Sequence, residues 1–484
     1  METSICHRFL SQSCLTYLTC WSQVRSAEGP TRWDYDKFPF LHYAAHQWHK
    51  HSKLQSGGDV SREVTLLSCE KTKIGWLRVE NPYLVDIEPP APSIYHAVRL
   101  SLPRVAEEFL KAGEDVNAFG HHLEPALVTA VQCQDQAMVE LLLAYGADVN
   151  LAAANYKQAL WWAAYNGLPL VKLLVDHGAD VNVVCDDGTA LSVACAGGHR
   201  QTVDLLLERG AHVDTVETVE TTALIEASRS GHKEIAELLI AKGADVNRKS
   251  IYTSALRATI ALDRPDIVAM LIDAGADVNA EDSNVLFHAL RLGKEDMVPL
   301  LEAKGANKLT AEQLNDILTQ VCSRQDESTQ KAIRLLLDRG ADADAGEGGA
   351  LLAALEYGRK APVALLEARG AKKLTSAQLN NALLRVCQNQ YEAALTAVDM
   401  LLDRGADANA HDGGVLLAAL KFGDEAVVTL LEERGAKKLT LKQLNDALTE
   451  VHGCLSFNFR EAIQLLIDRG ADAGVIPAKA ECLT

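Results

Sequence analysis

Along most of the chain, apolar residues fall into short runs with the spacing of an α-helix, and the runs come in pairs interrupted by glycine. Residues 186–214, DDGTALSVACAGGHRQTVDLLLERGAHVD, show one such pair. Its apolar positions are Leu191, Val193 and Ala194 in the first run and Val203, Leu205, Leu206 and Leu207 in the second. Thr189 is placed to cap the first helix, and Gly210 is placed to end the second in a left-handed conformation. Two helices this short cannot bury their apolar faces alone, so the pattern predicts that each pair stacks on its neighbours.

A glycine-based phrase closes each pair and sets the period. GADVN begins at residues 146, 178, 243 and 275, and looser forms begin at 113, 210, 340, 405 and 470. From 113 to 275 the steps are 32 or 33 residues. A fixed period of this size indicates a stacked array of helix pairs. These nine phrases, with the further Gly-Ala pairs at 305, 370 and 435, mark about twelve units.

The second half of the array repeats as a double unit. GANKLTAEQLNDIL at 305–318, GAKKLTSAQLNNAL at 370–383 and GAKKLTLKQLNDAL at 435–448 begin 65 residues apart. In each copy a threonine is followed three residues later by a glutamine, which is the spacing of a capping box, so a helix should start five residues after the glycine. The corresponding interval from Gly210 to Thr222 is 12 residues. The pattern predicts that the connecting loop is almost absent in these three units, and that their helices or the turns between them are longer.

These units resemble the ankyrin repeat, whose motif T-P-L-H-x-A-A-x-x-G-H is followed by L-L-L-x-x-G-A-D-V-N. The matching residues in two successive units are Thr189, Leu191, Ala194, Gly198, His199, Leu205, Leu206, Gly210 and Ala211, and then Thr222, Leu224, Ala227, Gly231, His232, Leu238, Leu239, Gly243, Ala244, Asp245 and Asn247. The proline and first histidine of the motif are replaced in both units. The resemblance covers about residues 91–475 and implies an all-α ankyrin-repeat solenoid of helix–turn–helix units. It also implies that His199 and His232 stabilise turns.

Residues 1–90 lack this period. HRFLSQSCLTYLT and FPFLHYAAHQWHKHS resemble the segment between the NACHT module and the ankyrin array of fungal NLR-like proteins. The residues that carry this resemblance are Cys14, Leu15, Tyr17 and Leu18, and then Pro39, Phe40, Leu41, Tyr43, Ala44, Ala45, Trp48 and His49. The phosphate-binding motif G-x-x-x-x-G-K-[ST] occurs nowhere, so ATP hydrolysis of that kind is not expected. The stretch 52–90 reads as strand-like at Val64, Leu66, Leu67, Ile74, Trp76 and Leu77.

The chain therefore divides into four predicted parts. These are a small N-terminal helical or irregular segment at 1–90, repeats of about 33 residues at 91–280, divergent repeats in 65-residue double blocks at 281–475 and a tail at 476–484.

Composition narrows the class of function. The net charge of −18 disfavours direct binding to nucleic acid, because such surfaces need clustered lysine and arginine. The eleven cysteines are scattered without a C-x-x-C pair, which argues against a disulfide framework and a zinc ribbon. No apolar run approaches the ~20 residues that a membrane helix needs, and the N-terminus lacks the pattern of a secretory signal. We expect a protein of the cytoplasm or nucleus that is not secreted, does not bind membranes and is monomeric on its own.

Sequence patterns for catalysis or metal binding are sparse. His42, His46 and His49 fall on one helical face, with His51 and Cys69 nearby. They form either a metal-binding face or the exposed and capping residues of an amphipathic helix, and no H-E-x-x-H motif or paired cysteine accompanies them.

Other residues with potential chemistry have structural interpretations. AGEGGA at 345–350 lacks the spacing of a phosphate loop, and no G-x-S-x-G motif occurs. Cys133, Cys185 and Cys195 are interpreted as small apolar residues. We therefore expect no catalytic residue, no cofactor and no bound metal.

Partner-binding residues are expected at the ends of the first helices. The ankyrin resemblance implies that partners bind there and on the projecting loops, along the concave face of the solenoid. Aromatic residues and arginine are favoured anchors in interfaces. The candidates are Tyr165, Arg229, Arg291, Tyr357 and Phe422. Trp161 and Trp162 match inward-packing positions and are predicted to be core. The shortened loops restrict the expected binding surface to the first six or seven units, unless the longer turns on the far side bind.

The leading prediction for function is a non-catalytic protein-interaction scaffold or adaptor. One alternative is a transcriptional co-regulator that acts through a DNA-binding partner, which rests on family analogy alone. The other is an enzyme activity in residues 1–90.

Overall fold

A computed structural model describes residues 2–24, 38–55, 59–80, 91–120, 123–153, 157–167, 169–215, 221–250, 253–280, 285–324, 326, 328–389, 393–452 and 459–475. This part of the chain is almost entirely helical. Four helices precede the repeats: α1 (Glu2–Val24), α2 (Leu41–Lys53), α3 (Ser61–Ser68) and α4 (Glu70–Glu80). None of the described helices combines the length and the apolar character needed to span a membrane.

The helices that follow form twelve consecutive pairs among the described residues, in agreement with the predicted all-α repeat fold. They are α5 (Ser93–Arg99), α6 (Pro103–Lys111), α7 (Ala126–Gln132), α8 (Gln136–Ala144), α9 (Ala159–Asn166), α10 (Leu170–Asp176), α11 (Ala190–Ala196), α12 (Arg200–Glu208), α13 (Ala223–Ser230), α14 (Lys233–Ala241), α15 (Ala255–Ala261), α16 (Pro265–Asp273), α17 (Val285–Arg291), α18 (Met297–Ala303), α19 (Ala311–Cys322), α20 (Ser328–Asp338), α21 (Ala345–Glu356), α22 (Lys360–Ala368), α23 (Ser376–Gln388), α24 (Ala394–Asp403), α25 (Gly414–Phe422), α26 (Glu425–Glu433), α27 (Leu441–His452) and α28 (Phe459–Asp468). A two-stranded antiparallel hairpin, β1 (Val184–Cys185) and β2 (Gly188–Thr189), precedes α11, and a 3₁₀ turn at Ala473–Val475 follows α28.

The helices are distributed over two compact units. The first comprises residues 1–258 and 273–276, and the second comprises residues 259–272 and 277–484.

In the first unit, the helices α3 and α4 correct the strand prediction for residues 52–90. The buried positions are Glu63, Leu66 and Leu67 in α3, and those of α4 include Lys73, Trp76 and Leu77. Both sets have the i, i+3, i+4 spacing of a helix. The first buried residue of each set is polar. A pattern read from apolar residues alone therefore misses one position of the helical period.

These two buried polar residues have hydrogen-bond partners. The Glu63 Oε1 atom accepts from Ser52 Oγ at 3.0 Å and from Gln55 Nε2 at 3.1 Å. The Lys73 Nζ atom donates to the Ala91 carbonyl at 3.0 Å, and burial lowers the pKa of this lysine. Because Ala91 directly precedes the first repeat, Lys73 connects the N-terminal helices to the array.

Three buried aromatic side chains form the remainder of this junction. Trp76 contacts Trp48 edge to face at 5.6 Å between ring centroids, and it contacts His96 of the first repeat at 6.0 Å. The Trp76 Nε1 atom also donates to the Ala45 carbonyl at 3.0 Å. The N-terminal helices therefore share a core with α5.

The repeats of the first unit stack as the pattern predicts. Successive first helices α5, α7, α9, α11 and α13 pack against one another. Thr189 caps α11 in a reciprocal capping box with Ser192, and Gly210 has the expected positive φ of 87°. The asparagine of the closing phrase, predicted only to suit a turn, joins adjacent repeats. The Nδ2 atom of Asn150 donates to the Gly178 carbonyl at 3.1 Å, and its Oδ1 atom accepts from the Asp180 N–H at 2.8 Å.

The double blocks of the second unit confirm the capping-box and helix-length predictions. Thr310, Thr375 and Thr440 each accept from the backbone N–H of the glutamine three residues later, and that side chain accepts from the threonine N–H. Helices α19 and α20 have 12 and 11 residues, against 7 and 9 in α11 and α12. The residues gained by shortening the loop therefore extend the helices.

The glycine-rich stretch at 345–350 forms a left-handed turn. Gly346, Glu347 and Gly348 have φ values of 60°, 56° and 82°. A Cβ atom on Gly348 would lie 2.7 Å from Leu374 Cδ2. Leu374 is the leucine of the GAKKLT stretch at 370–375, so this glycine accommodates the start of the next repeat.

Ion pairs connect consecutive second helices of the second unit. The pairs join Arg339 to Glu302, Arg369 to Asp338, Arg404 to Glu367, Arg434 to Asp399 and Asp403, and Arg469 to Glu432. Each arginine directly precedes a closing glycine. Because the side chains are partly exposed, each pair contributes at most about 1 kcal/mol.

Candidate functional site

In the first unit, three first-helix ends and one hairpin enclose a groove of about 470 Å³. We call it the aromatic–acidic groove. Its lining residues are Trp161, Tyr165, Asp186, Asp187, Ser192, Val193, Ala196, Thr221, Ile225, Glu226, Arg229 and Thr253. Two of the predicted partner-binding residues, Tyr165 and Arg229, therefore line the same groove.

The aromatic part of the groove belongs to α9. The rings of Trp161 and Tyr165 are stacked with 5.9 Å between centroids and 6° between planes. Trp161 is 7% exposed, whereas Tyr165 is 55% exposed. The core prediction is thus correct for Trp161, but Trp162 is only partly buried. Tyr165 offers the exposed aromatic face of this pair.

The acidic part comes from the hairpin turn between β1 and β2. Cys185 pairs with Gly188, so Asp186 and Asp187 occupy the two-residue turn and both line the groove. Asp187 forms an ion pair with Lys157. Among the described residues, Asp186 makes no hydrogen bond or ion pair. One carboxylate in this turn is therefore neutralised within the chain and the other is not.

Arg229 and Glu226 form the opposite part of the lining. They are one helical turn apart on α13, and Arg229 Nη2 pairs with Glu226 Oε2. The Glu226 side chain is largely buried, and that of Arg229 is exposed. The arginine is thus held by a buried carboxylate, which limits its freedom to move away from the groove.

Histidines of the following repeats fix the first-helix ends. The Nε2 atom of His199 lies 2.9 Å from the Tyr165 carbonyl, and that of His232 lies 3.2 Å from the Ala196 carbonyl. A carbonyl oxygen can only accept, so Nε2 is the donor in both cases. The predicted turn-stabilising role is correct, but the bonds connect adjacent repeats and do not close the histidine's own turn.

The other three candidates lie in the second unit. Arg291 ends α17 and is partly buried, and its carbonyl accepts from Arg324 Nη1 at 3.1 Å. Tyr357 follows α21 and is partly buried, whereas Phe422 at the end of α25 is 37% exposed. Ion pairs connect the residues next to them, Glu356 with Arg385 and Lys421 with Glu450. A role of these three residues in partner binding stays a prediction.

The histidine face of α2 does not converge on one point. The rings of His42 and His46 stack at 4.1 Å, whereas His51 contacts His7 and Tyr43. Burial, with the nearby charges of Lys50 and Lys53, lowers the pKa of His49 to about 4. Within the described ranges, no group of three or more histidine, cysteine, aspartate or glutamate residues is placed to hold a metal ion.

The three cysteines interpreted as small apolar residues differ in environment. Cys185 and Cys195 are buried as predicted, whereas Cys133 is exposed. The difference follows from position, because Cys133 follows the end of α7, whereas Cys185 lies in strand β1 and Cys195 lies within α11.

Sequence reasoning missed the acidic residues of the groove. It considered only the last two positions of each first helix, whereas Asp186 and Asp187 come from the loop. The detectable signal was Asp-Asp-Gly between two short β-compatible segments, which is a hairpin pattern.

A comparison with protein-family models agrees with the repeat assignment. A family model described as ankyrin repeats matches residues 94–185 and 160–250. A solved structure titled as the crystal structure of the human ASB11 ankyrin repeat domain is 27% identical, with a TM-score of 0.39, and the match covers 45% of this chain and 98% of that one. No curated protein matches the chain. The family match corresponds to the first five helix pairs, which include all of the groove's lining residues except Thr253. Residues 94–250 are therefore ankyrin repeats, and the chain has the all-α ankyrin-repeat fold.

Proposed function

We propose that this chain is a non-catalytic interaction scaffold or adaptor, and that it binds a partner protein through the aromatic–acidic groove. Ankyrin repeats in general mediate protein–protein interaction. The observation that carries the proposal is the convergence of Tyr165 and Arg229 in one groove, because exposed tyrosine and arginine are the side chains that most often anchor an interface.

The geometry suits a side chain of a partner better than a small molecule. The groove lies between a hairpin turn and helix ends, and its floor contains Trp161, Val193 and Ile225. An apolar floor with charged walls is the usual anatomy of an interface, in which a buried centre is surrounded by polar groups.

Site-specific photo-crosslinking tests this proposal. Tyr165 is replaced by p-benzoylphenylalanine, and the matched control carries the same replacement at Tyr145, which is 39% exposed and follows a second helix, α8. We expect crosslinks to a partner protein from position 165 and far fewer from position 145. Equal crosslinking at the two positions would contradict the assignment of the groove.

Phe422 and Tyr357 are proposed as additional contacts in the second unit. The same crosslinker at position 422 should capture a second protein if the chain is an adaptor. No particular observation favours the co-regulator alternative or an enzyme activity in residues 1–90. The resemblance of residues 1–90 to fungal NLR-like proteins and a location in the cytoplasm or nucleus stay predictions.

A further inference from the structure

Lys157 shows that aromatic and acidic residues beside the groove can bind a cation. Its Nζ atom lies 4.3 Å from the centroid of the Trp161 ring and 5.4 Å from that of the Trp162 ring, and it pairs with Asp187. The Lys157 side chain is only 15% exposed. An ammonium group in this position is stabilised both by the aromatic faces and by the carboxylate. The chain thus binds one of its own cations between an aromatic residue and an aspartate.

The groove contains a second aromatic ring and a second carboxylate, and no cation of the described chain lies between them. Tyr165 stacks on Trp161 and has an exposed ring, and Asp186 adjoins Asp187 in the same turn. Asp186 makes no ion pair among the described residues, and the one cation that lines the groove, Arg229, is paired with Glu226. An exposed aromatic face and an unneutralised carboxylate therefore line one groove.

We infer that the aromatic–acidic groove accepts a lysine or arginine side chain from an extended segment of the partner protein, with its cation against Tyr165 and close to Asp186. The inference rests on the proposed function and specifies the partner's chemistry. A basic segment is also attracted by the net charge of −18.

Two other kinds of segment fit less well. An acidic segment would be repelled by Asp186, the carboxylate of the groove that is not neutralised within the described part of the chain. An apolar segment would remove the Asp186 carboxylate from water without a compensating charge.

The test uses the full chain and four synthetic peptides on a Gly-Ser scaffold. The peptides differ only at three alternate positions, which hold arginine, lysine, leucine or glutamate. Binding is measured by fluorescence anisotropy at low and physiological salt. We expect the arginine or lysine peptide to bind about tenfold more tightly than the leucine and glutamate peptides.

Variants separate the groove from general charge attraction. Asp186→Asn and Tyr165→Ala should each weaken binding of the basic peptide by about five- to tenfold. The matched controls, Glu208→Gln and Tyr145→Ala, remove the same charge and the same ring from exposed positions outside the groove and should leave binding within about twofold. Circular dichroism melting verifies that all four variants fold.

The outcomes distinguish the claim that the groove binds a partner from the claim that the partner supplies a cationic side chain. Equal weakening by Asp186→Asn and Glu208→Gln would indicate diffuse attraction and overturn the inference. Failure of every peptide to bind would also overturn it. Tyr165-dependent binding of the leucine peptide would overturn the preference for a cation and retain the groove as an interaction surface. The crosslinking at position 165 tests the proposed function independently of any basic residue.

Discussion

The His199 ring donates a hydrogen bond from Nε2 to the Tyr165 carbonyl, 2.9 Å away in the preceding repeat. His199 is thus a positioning residue for the helix end on which Tyr165 lies. We predict that His199→Ala lowers the free energy of unfolding by about 1 kcal/mol, because a hydrogen bond between repeats is lost. Urea denaturation followed by circular dichroism measures this change.

A second histidine provides the control for this prediction. His212 is exposed, and its ring makes no hydrogen bond, ion pair or ring contact with another described residue. His212→Ala should change the unfolding free energy by less than about 0.5 kcal/mol. Equal effects of the two substitutions would show that the bond to Tyr165 has no role in stability.

Two neighbouring glycines allow a direct test of the contact between Gly348 and Leu374. Both Gly346 and Gly348 have positive φ, but a Cβ atom on Gly346 would meet nothing within 4 Å, whereas one on Gly348 would lie 2.7 Å from Leu374 Cδ2. Gly346→Ala should cost about 1 kcal/mol through its backbone conformation alone. Gly348→Ala should cost about 1–3 kcal/mol more, because the leucine must move.

Thermal and urea unfolding of the two variants measure the difference. If Gly346→Ala and Gly348→Ala destabilise equally, Leu374 adjusts without cost and the proposed constraint on the GAKKLT stretch is wrong.

Much of the array could be predicted from the sequence because its signals are local. A capping box depends on two residues three apart, so Thr310 and Gln313 identified the start of a helix without any knowledge of its neighbours. The glycine phrase identified the ends in the same way. The second role of Gln378, whose Nε2 atom donates to the Glu347 carbonyl at 2.7 Å, was not visible, because it joins residues 31 apart.

The errors have a related physical origin. In residues 52–90 the helical period was concealed by the polar residues Glu63 and Lys73, whose partners Ser52 and Ala91 are 11 and 18 residues away in the sequence. In the groove, Tyr165 and Arg229 could be selected from their repeat positions. Asp186 could not, because its importance depends on which side chains the hairpin turn faces.

Because the N-terminal helices and the first repeat share a core, we predict that they stabilise each other. We expect Trp76→Phe to lower the unfolding free energy by about 2 kcal/mol, because it removes the bond to the Ala45 carbonyl and part of the packing against Trp48 and His96. Hydrogen exchange should show faster exchange in both α4 and α5. Trp162→Phe, at a partly buried position in α9, serves as the control. Loss of protection confined to α4 would mean that residues 1–90 form a separate folding unit.

His49 gives a prediction for acid stability. Burial, followed by the charges of Lys50, Lys53 and Arg99, lowers the pKa of His49 from 6.5 to about 4. The folded chain therefore keeps this imidazole neutral in the range where the unfolded chain binds a proton. Between about pH 6.5 and 4 the unfolded state binds more protons, so this residue's contribution to stability is lost as the pH falls.

The variant His49→Gln removes that contribution without changing the charge at neutral pH. We expect the unfolding free energy of the wild type, measured in urea at pH 7.5, 6.0 and 5.0, to fall more steeply with decreasing pH than that of the variant. The carboxylates titrate in both proteins, so their contribution to the pH dependence of the unfolding free energy cancels in this comparison.

An NMR titration of the His49 ring measures the same pKa directly. A midpoint near 6.5, or identical pH slopes for the two proteins, would show that the imidazole reaches solvent in the folded state and would contradict the burial of the His49 ring.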